Sequence, residues 1–288
     1  MKKKNWFALL LTAALSLSLL AGCGGSQPSD STDSGDNADA PAASESRLDK
    51  VLKAGKITNV CEPYFAPYEF IDNTKSGQEQ FRGADMELAR YIAKELGVEL
   101  EIVPLEWSAV LTGVGAGKYD MAVAGMAYTP ERAETMAMSK VYKPGGDQGL
   151  LVPADKVDEY TSLADFAGKR VGFQSGTVQE QNVLTQLPDS EPVTFDIIQN
   201  AVLALDSGKV DAVSVSVPNG EMFVSTNPKL AVSSVLFDNS MNGNVIGFPK
   251  GETELVDAVN KIIDQVLEQG LYDQWLEEAT AEAEKLGL

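Results

Sequence analysis

A short motif occurs twice in the sequence, as GKYDMAV at residues 117–123 and as GKVDAV at residues 208–213. Each copy follows a segment with helical periodicity, at 107–116 and 200–207, and each leads from a glycine turn into an apolar run typical of a buried strand. A helix–turn–strand unit that recurs in one chain predicts two similar α/β lobes rather than one continuous sheet.

Two clusters of residues that break helices and strands bracket the second copy of the motif. They are KPGGDQG at 143–149 and DNSMNG at 238–243. The chain is therefore expected to leave lobe one, build lobe two and return, and two such hinge segments allow a cleft between the lobes to close. The predicted fold class is α/β, with residues 47–145 and 240–288 in lobe one and residues 146–239 in lobe two.

The charge and composition exclude several classes of function. The formal net charge is −19, which argues against nucleic-acid binding and against docking on anionic lipid through basic patches. The sequence has no histidine, so Ser-His and Cys-His nucleophile pairs and the usual zinc sites are absent. Its two cysteines, Cys23 and Cys61, are too few for a disulfide framework. We predict no cofactor and no metal.

The first 22 residues have the pattern of a secretory signal peptide, with three lysines before an apolar stretch at 6–21. The stretch ends in LAGC at 20–23, which resembles the cleavage box of bacterial lipoproteins, where the cysteine, here Cys23, is lipidated and becomes the new N-terminus. An uncleaved anchor helix is the alternative. Residues 23–46 then form a flexible linker, because 24–45 hold no large apolar side chain. The folded part is expected outside the cell membrane, attached to it only through this lipid anchor.

The stretch MAVAGMAYTPER at 121–132 predicts an anion site. Residues 121–124 suit a short buried strand, and Gly125 at its end lets a ligand approach the backbone. Thr129 is a good helix N-cap, Pro130 suits the first helical position, and Arg132 then lies in the first turn. A helix start with an arginine favours anion binding. A solvated arginine on a helix start is the simpler alternative.

Two further stretches are candidates for the opposite walls of a cleft. In lobe two, a strand at 170–173 leads into Ser175-Gly176-Thr177 before a helix, which could supply NH groups and hydroxyls to the same ligand or serve only as a helix cap. In lobe one, Tyr64 and Phe65 lie between prolines in a stiff loop after the first strand, so one of them could face the cleft.

Several strings together resemble the polar amino-acid class of extracytoplasmic solute-binding proteins that serve ABC importers. They cover nearly all of residues 47–288 and include LDKVLKAGKITN, APYEF, WSAV, GKRVGFQSGT and FPKGE besides the two repeats. The resemblance implies two α/β lobes with the ligand between them, trapped when the lobes close. It also implies an ABC permease and ATPase as partners and an amino acid or related small carboxylate as ligand. We expect a monomer.

The resemblance also implies roles for particular residues. Arg132 would bind the ligand's carboxylate, Trp107 and Phe65 would sandwich its apolar part, and the backbone of Gly125 would hydrogen-bond to it. Glu62, at the end of the first strand, is placed to bind a polar or cationic group. The full set of candidate contacts is Glu62, Tyr64, Phe65, Trp107, Gly125, Ala127, Arg132, Gln174, Ser175, Thr177 and Ser216.

Two positions depart from the family pattern. The family usually has Ser or Thr at the position of Ala127, and an Asp that binds the ligand's α-ammonium at the position of Ser216. A neutral hydroxyl in place of a carboxylate weakens ammonium binding by ~1–3 kcal/mol. Either Glu62 takes over that role or the ligand lacks a standard α-amino group.

Two other functions are compatible with this sequence. The first is an enzyme on the same scaffold, of the cyclohexadienyl-dehydratase type, with carboxylates such as Glu62 acting as acid or base. The absence of histidine and of suitably spaced paired acids makes this less favourable, so we predict no enzymatic activity. The second is a ligand-sensing domain without a transport role, which would differ only in its partner.

Overall fold

The computed structural model describes residues 45–238 and 243–288. The predicted signal peptide, Cys23 and all but the last two residues of the predicted linker lie outside these residues. The first part of the described chain alternates helices and strands, with bounds α1 Arg47–Ala54, β1 Lys56–Cys61, β2 Phe70–Ile71, β3 Phe81–Arg82, α2 Ala84–Leu96, β4 Glu99–Pro104, α3 Trp107–Gly115, α4 Pro130–Thr135 and β5 Met136–Met138.

The second part of the chain builds a separate sheet with its own helices. The elements are β6 Gln148–Pro153, β7 Arg170–Gln174, α5 Val178–Gln186, β8 Glu191–Phe195, α6 Ile198–Asp206, β9 Ala212–Ser216, α7 Val217–Thr226 and β10 Leu230–Leu236. The strand order is β10-β6-β9-β7-β8, in which β7 pairs parallel with β8 and β9 while β6 pairs antiparallel with β9 and β10. This sheet and its helices form lobe two.

The chain then returns to lobe one. The remaining elements are β11 Gly247–Pro249, α8 Thr253–Glu268 and α9 Leu271–Leu286. β11 pairs antiparallel with β5, and the apolar stripe of α8, including Leu255, Val259 and Ile263, is buried in the lobe-one core. The fold is therefore α/β with two lobes and two crossings, as predicted. None of the helices in the described parts of the chain is both long enough and apolar enough to cross a membrane.

Lobe one has a sheet that isolated bridges complete. β1 pairs parallel with β4, and single bridges join Asn59 to Met121 and Ala122 to Gly247. The predicted strand at 121–124 is wrong as a regular element, although all four residues are buried. The reason lies in Asn59, whose side-chain oxygen accepts the Val123 N–H at 2.7 Å and whose amide donates to the Val123 carbonyl at 3.3 Å. At Val123 a side chain thus takes the place of the backbone of a neighbouring strand.

The two copies of the repeated motif do the same structural work in the two lobes. Asp120 accepts the backbone N–H of Thr58 at 2.8 Å and pairs with Arg47 at 3.0 Å. Asp211 accepts the backbone N–H of Arg170 at 2.9 Å and pairs with the same residue's guanidinium at 2.8 Å. In each lobe the aspartate of the motif therefore fixes the start of a neighbouring strand.

The two crossings between the lobes run side by side. Tyr142 N–H donates to the Asn244 carbonyl at 3.0 Å, and Asn244 N–H donates to the Lys143 carbonyl at 2.8 Å. On the lobe-two side, Phe237 N–H donates to the Gln148 carbonyl at 2.9 Å. These bonds make the described parts of the crossings a short two-stranded ribbon below the cleft.

Candidate ligand-binding site

A cavity of about 80 Å³ lies between the two lobes. A single water molecule needs only ~10–15 Å³, so the cavity has room for a small solute. Most of the residues predicted from the sequence line it, namely Glu62, Phe65, Trp107, Gly125, Ala127, Arg132, Gln174, Thr177 and Ser216. Tyr64 and Ser175 do not. Tyr64 is 45% exposed, and its carbonyl accepts a hydrogen bond from Gln199 of α6 at 2.7 Å.

Arg132 is the cation that the predicted anion site requires. It lies in the first turn of α4, where the Thr129 hydroxyl accepts the Arg132 backbone N–H, as the sequence indicated. Its guanidinium donates to the carbonyls of Ala127 at 2.7 Å and Gly176 at 2.9 Å, and it has no carboxylate within 4.0 Å in residues 45–238 and 243–288. Burial lowers its pKa to about 10, because removal from water disfavours the charged form. A bound anion would reverse that cost.

Three aromatic rings form the apolar wall of the cavity. Phe65 stacks on Tyr68 with ring centroids 5.1 Å apart, and the Arg132 guanidinium lies 5.1 Å from the ring centre of Trp107. The Trp107 indole N–H donates to the Gly176 carbonyl at 2.9 Å. Trp107 therefore contacts Arg132 within lobe one and also hydrogen-bonds to lobe two at Gly176.

Glu62 is held across the cleft by Gln174. The Gln174 amide nitrogen is 2.9 and 2.8 Å from the two carboxylate oxygens of Glu62, and the Trp107 backbone N–H donates to the same carboxylate at 3.3 Å. Burial raises the pKa of Glu62, while the hydrogen bonds from Gln174 and Trp107 oppose that shift. Glu62 was expected to bind a polar or cationic group of the ligand, and in this structure it binds the opposite lobe.

Gly125 lines the cavity, but its N–H, which was expected to be available to a ligand, is already used. It donates to the buried carboxylate of Asp85, which also accepts from the hydroxyls of Tyr142 and Tyr272. The backbone at Gly125 has φ +56°, and a Cβ there would lie 2.8 Å from the Phe65 ring. Only glycine lets the ring pack against this turn.

Lobe two contributes polar groups from two strand ends. Thr177 caps α5, because its hydroxyl accepts the Glu180 N–H at 3.3 Å, and that hydroxyl also donates to the Gln174 carbonyl at 2.6 Å. Ser216 ends β9 and is buried, and its hydroxyl has no hydrogen-bond partner in the described parts of the chain. Ser216 therefore faces the cavity with an unused polar atom.

Sequence reasoning missed several polar residues that line the cavity, namely Tyr68, Glu69, Lys143, Gln148, Gln179, Ser214, Asn219 and Asn244. A signal existed for some of them. Glu69 is a charged residue between two aromatics in the APYEF string, and Asn219 follows Ser216 by about one helical turn. Lys143 and Gln148 lie inside a cluster that was assigned to the hinge alone.

Lys143 adds a second cation to the cavity. Its ammonium lies 5.5 Å from the ring centre of Tyr68, and burial lowers its pKa. Within the described residues no cluster of three or more His, Cys, Asp or Glu side chains could hold a metal ion. The cavity therefore combines two cationic side chains, Arg132 and Lys143, with carboxyl, hydroxyl and amide groups.

The chain matches known proteins over most of its length. Residues 57–279 match the family described as bacterial extracellular solute-binding proteins, family 3. ABC transporter arginine-binding protein 1 of Escherichia coli (strain K12) is 26% identical over 229 residues, which cover 77% of this chain and 91% of that protein.

Solved structures show the same architecture. An amino acid ABC transporter substrate-binding protein from Streptococcus pneumoniae, crystallised with L-arginine, is 34% identical with a TM-score of 0.77, over 82% of this chain and 98% of that one. An ancestral amino-acid-binding protein, described as a precursor of cyclohexadienyl dehydratase, is 30% identical with a TM-score of 0.71, over 82% of this chain and 99% of that one.

Proposed function

Because the chain belongs to family 3 of the bacterial extracellular solute-binding proteins, we propose that it captures an amino acid between its lobes for import by an ABC transporter. The observation that carries the proposal is Arg132, a guanidinium that faces the cavity between the lobes with no carboxylate partner among the described residues. A planar fork of donors of this kind matches a carboxylate, the group that all amino acids share.

The relatives narrow the ligand class. One curated relative is named as arginine-binding and one solved relative was crystallised with L-arginine. In this chain the cavity combines Arg132 with the buried acids Glu62 and Glu69, so an amino acid with a polar or cationic side chain fits its charges. Closure would be completed by the bonds that cross from lobe one to lobe two.

The proposal includes the cellular setting. The family description supports an extracellular location, and the LAGC box supports attachment through lipidated Cys23. The partners would be a permease and an ATPase, with the receptor acting as a monomer and without enzymatic turnover. Mass spectrometry of the membrane-extracted protein would detect the acyl chains on Cys23, and an unmodified, full-length N-terminus would contradict the anchor.

Calorimetric titration of the twenty L-amino acids tests the binding function. The wild-type protein should bind at least one of them without forming product, and Arg132→Ala should weaken that binding by about 2–5 kcal/mol, or roughly 30- to 5,000-fold. Arg132→Lys keeps the charge but loses the fork, so it should recover only part of the affinity. Equal affinity in the wild type and in Arg132→Ala would refute the carboxylate site, and turnover of the bound molecule would favour the enzyme.

A further inference from the structure

Four buried polar atoms that line the cavity have no hydrogen-bond partner in the described parts of the chain. They are the hydroxyl oxygens of Ser214 and Ser216, Oδ1 of Asn219 and Oε2 of Glu69. The four residues are only 0 to 6% exposed. Buried polar atoms in native proteins are nearly always paired, so a group of unpaired ones in one cavity indicates a missing partner.

The atoms belong to elements that meet at one place. Ser214 and Ser216 are two residues apart on β9 and so point to the same face of the sheet. Ser216 is the N-cap of α7, and Asn219 in the first turn of α7 donates from Nδ2 to the Ala66 carbonyl at 3.0 Å. That bond joins the start of α7 to the 65–69 loop, in which Phe65 N–H donates to the carbonyl of Glu69 at 2.8 Å.

Glu69 carries the only unsatisfied carboxylate among the three buried acids around this end of lobe one, within the described residues. Glu62 is occupied by Gln174 and Trp107, and Asp85 accepts from Gly125, Tyr142 and Tyr272. Glu69 is 1% exposed and receives no such donor at Oε2.

We propose that Glu69 binds the ammonium group of the bound amino acid, with Ser214, Ser216 and Asn219 supplying neutral acceptors around it. The ammonium carries a positive charge and three N–H donors, so it can pair with Glu69 and two of the neutral acceptors, while a serine hydroxyl can donate to the third. The carboxylate that recognises the amine thus comes from the 65–69 loop of lobe one, and lobe two provides only neutral groups, the hydroxyls of Ser214 and Ser216 and the amide oxygen of Asn219. This inference rests on the proposed function and names the part of the site that selects amines.

The charged residues of the cavity determine which charged groups a ligand must carry. Arg132 lies in the same cavity and binds the carboxylate, while Glu69 and its neutral neighbours bind the amine. A carboxylic acid without an amine leaves the four acceptors unpaired and should bind more weakly. The resulting ligand class is zwitterionic, with both charged groups contacted by lobe one.

Matched ligands test the proposal. Each of the twenty L-amino acids that binds the wild type is titrated beside its desamino analogue, for example L-arginine beside 5-guanidinopentanoate. Glu69→Gln should weaken the amino acid by roughly 10- to 150-fold, the value of a hydrogen bond to a charged group, and the desamino analogue by less than about threefold. Glu95→Gln removes the same charge from an exposed position of α2 outside the cavity and should change neither affinity.

A second variant protects the test against misfolding. Adding Ser216→Asp to Glu69→Gln returns a carboxylate to the same cavity from the opposite lobe and should restore the preference for the amino acid. The proposal is overturned if Glu69→Gln weakens both ligands equally, if it weakens neither, or if the double variant folds without regaining that preference. If the wild type binds no amino acid, the proposed function fails as well, whereas wild-type binding with an inert Glu69→Gln variant refutes only the amine site.

Discussion

The bond between Gln174 and Glu62 gives a measurable prediction about closure. The amide nitrogen of Gln174, in lobe two, lies 2.9 and 2.8 Å from the two carboxylate oxygens of Glu62, in lobe one. Gln174→Ala leaves Glu62 with only the 3.3 Å bond from the Trp107 N–H. A hydrogen bond to a charged group is worth about 1.5–3 kcal/mol, and leaving the carboxylate buried without it adds cost. The closed form should therefore lose at least about 1.5–3 kcal/mol.

Ligand affinity reports that loss directly, because a ligand that needs both lobes binds only to the closed form. The dissociation constant of the best-binding amino acid should rise roughly 10- to 150-fold in Gln174→Ala. Gln186→Ala is the matched control, since the partners of Gln186 in residues 45–238 and 243–288, Asn182 and Asp238, both lie in lobe two. An unchanged dissociation constant in Gln174→Ala would refute the cross-lobe role, as would small-angle scattering that shows equal closure of both variants with ligand.

Two further predictions concern stability. Burial raises the pKa of Glu69 in the folded protein above its unfolded value of ~4.3. Between these two pKa values the native state binds more protons than the unfolded state. The free energy of unfolding therefore falls as the pH rises through that window. Glu69→Gln has no such proton to lose. In urea titrations without ligand, its free energy of unfolding should rise relative to that of the wild type by up to about 1.4 kcal/mol per pH unit across that window. A difference between the two proteins that does not depend on pH would contradict this. Gly83→Ala should cost about 3 kcal/mol or more, because Gly83 has φ +121° and its Cβ would lie 2.1 Å from the Tyr68 carbonyl oxygen. Gly55→Ala, with φ +65° and open space around it, should cost only about 1–2 kcal/mol, and equal losses in thermal unfolding would contradict the clash.

The architecture was predictable because it follows from local patterns. The Gly-Lys turn before each aspartate, the apolar run that follows it and the breaker cluster at 143–149 are signals that each extend over only a few residues. The strand expected at 121–124 stops being regular at Val123, because the backbone N–H and carbonyl of Val123 bond to the side chain of Asn59. That contact spans 64 positions along the chain.

The candidate site was predictable in part for the same reason. Thr129 and Arg132 are close in sequence, so their capping geometry could be inferred from spacing alone. Whether Glu62 or Glu69 is free depends on Gln174, which reaches Glu62 from the other lobe, 112 positions away. The roles of the two glutamates could therefore be separated only in three dimensions. The candidate contacts and the lobe boundaries themselves remain predictions that binding and proteolysis experiments would test.

The ribbon below the cleft has a mechanical consequence. Because the Tyr142–Asn244 and Lys143–Asn244 bonds tie one crossing to the other, neither can swing alone. A pair of strands joined edge to edge bends readily about an axis across it and resists sliding lengthwise. Lobe two should therefore rotate about a single hinge axis, and the width of the cleft then sets the length of solute that fits it. A solute too short to contact both lobes would not stabilise the closed form, and one that is too long would keep the lobes apart.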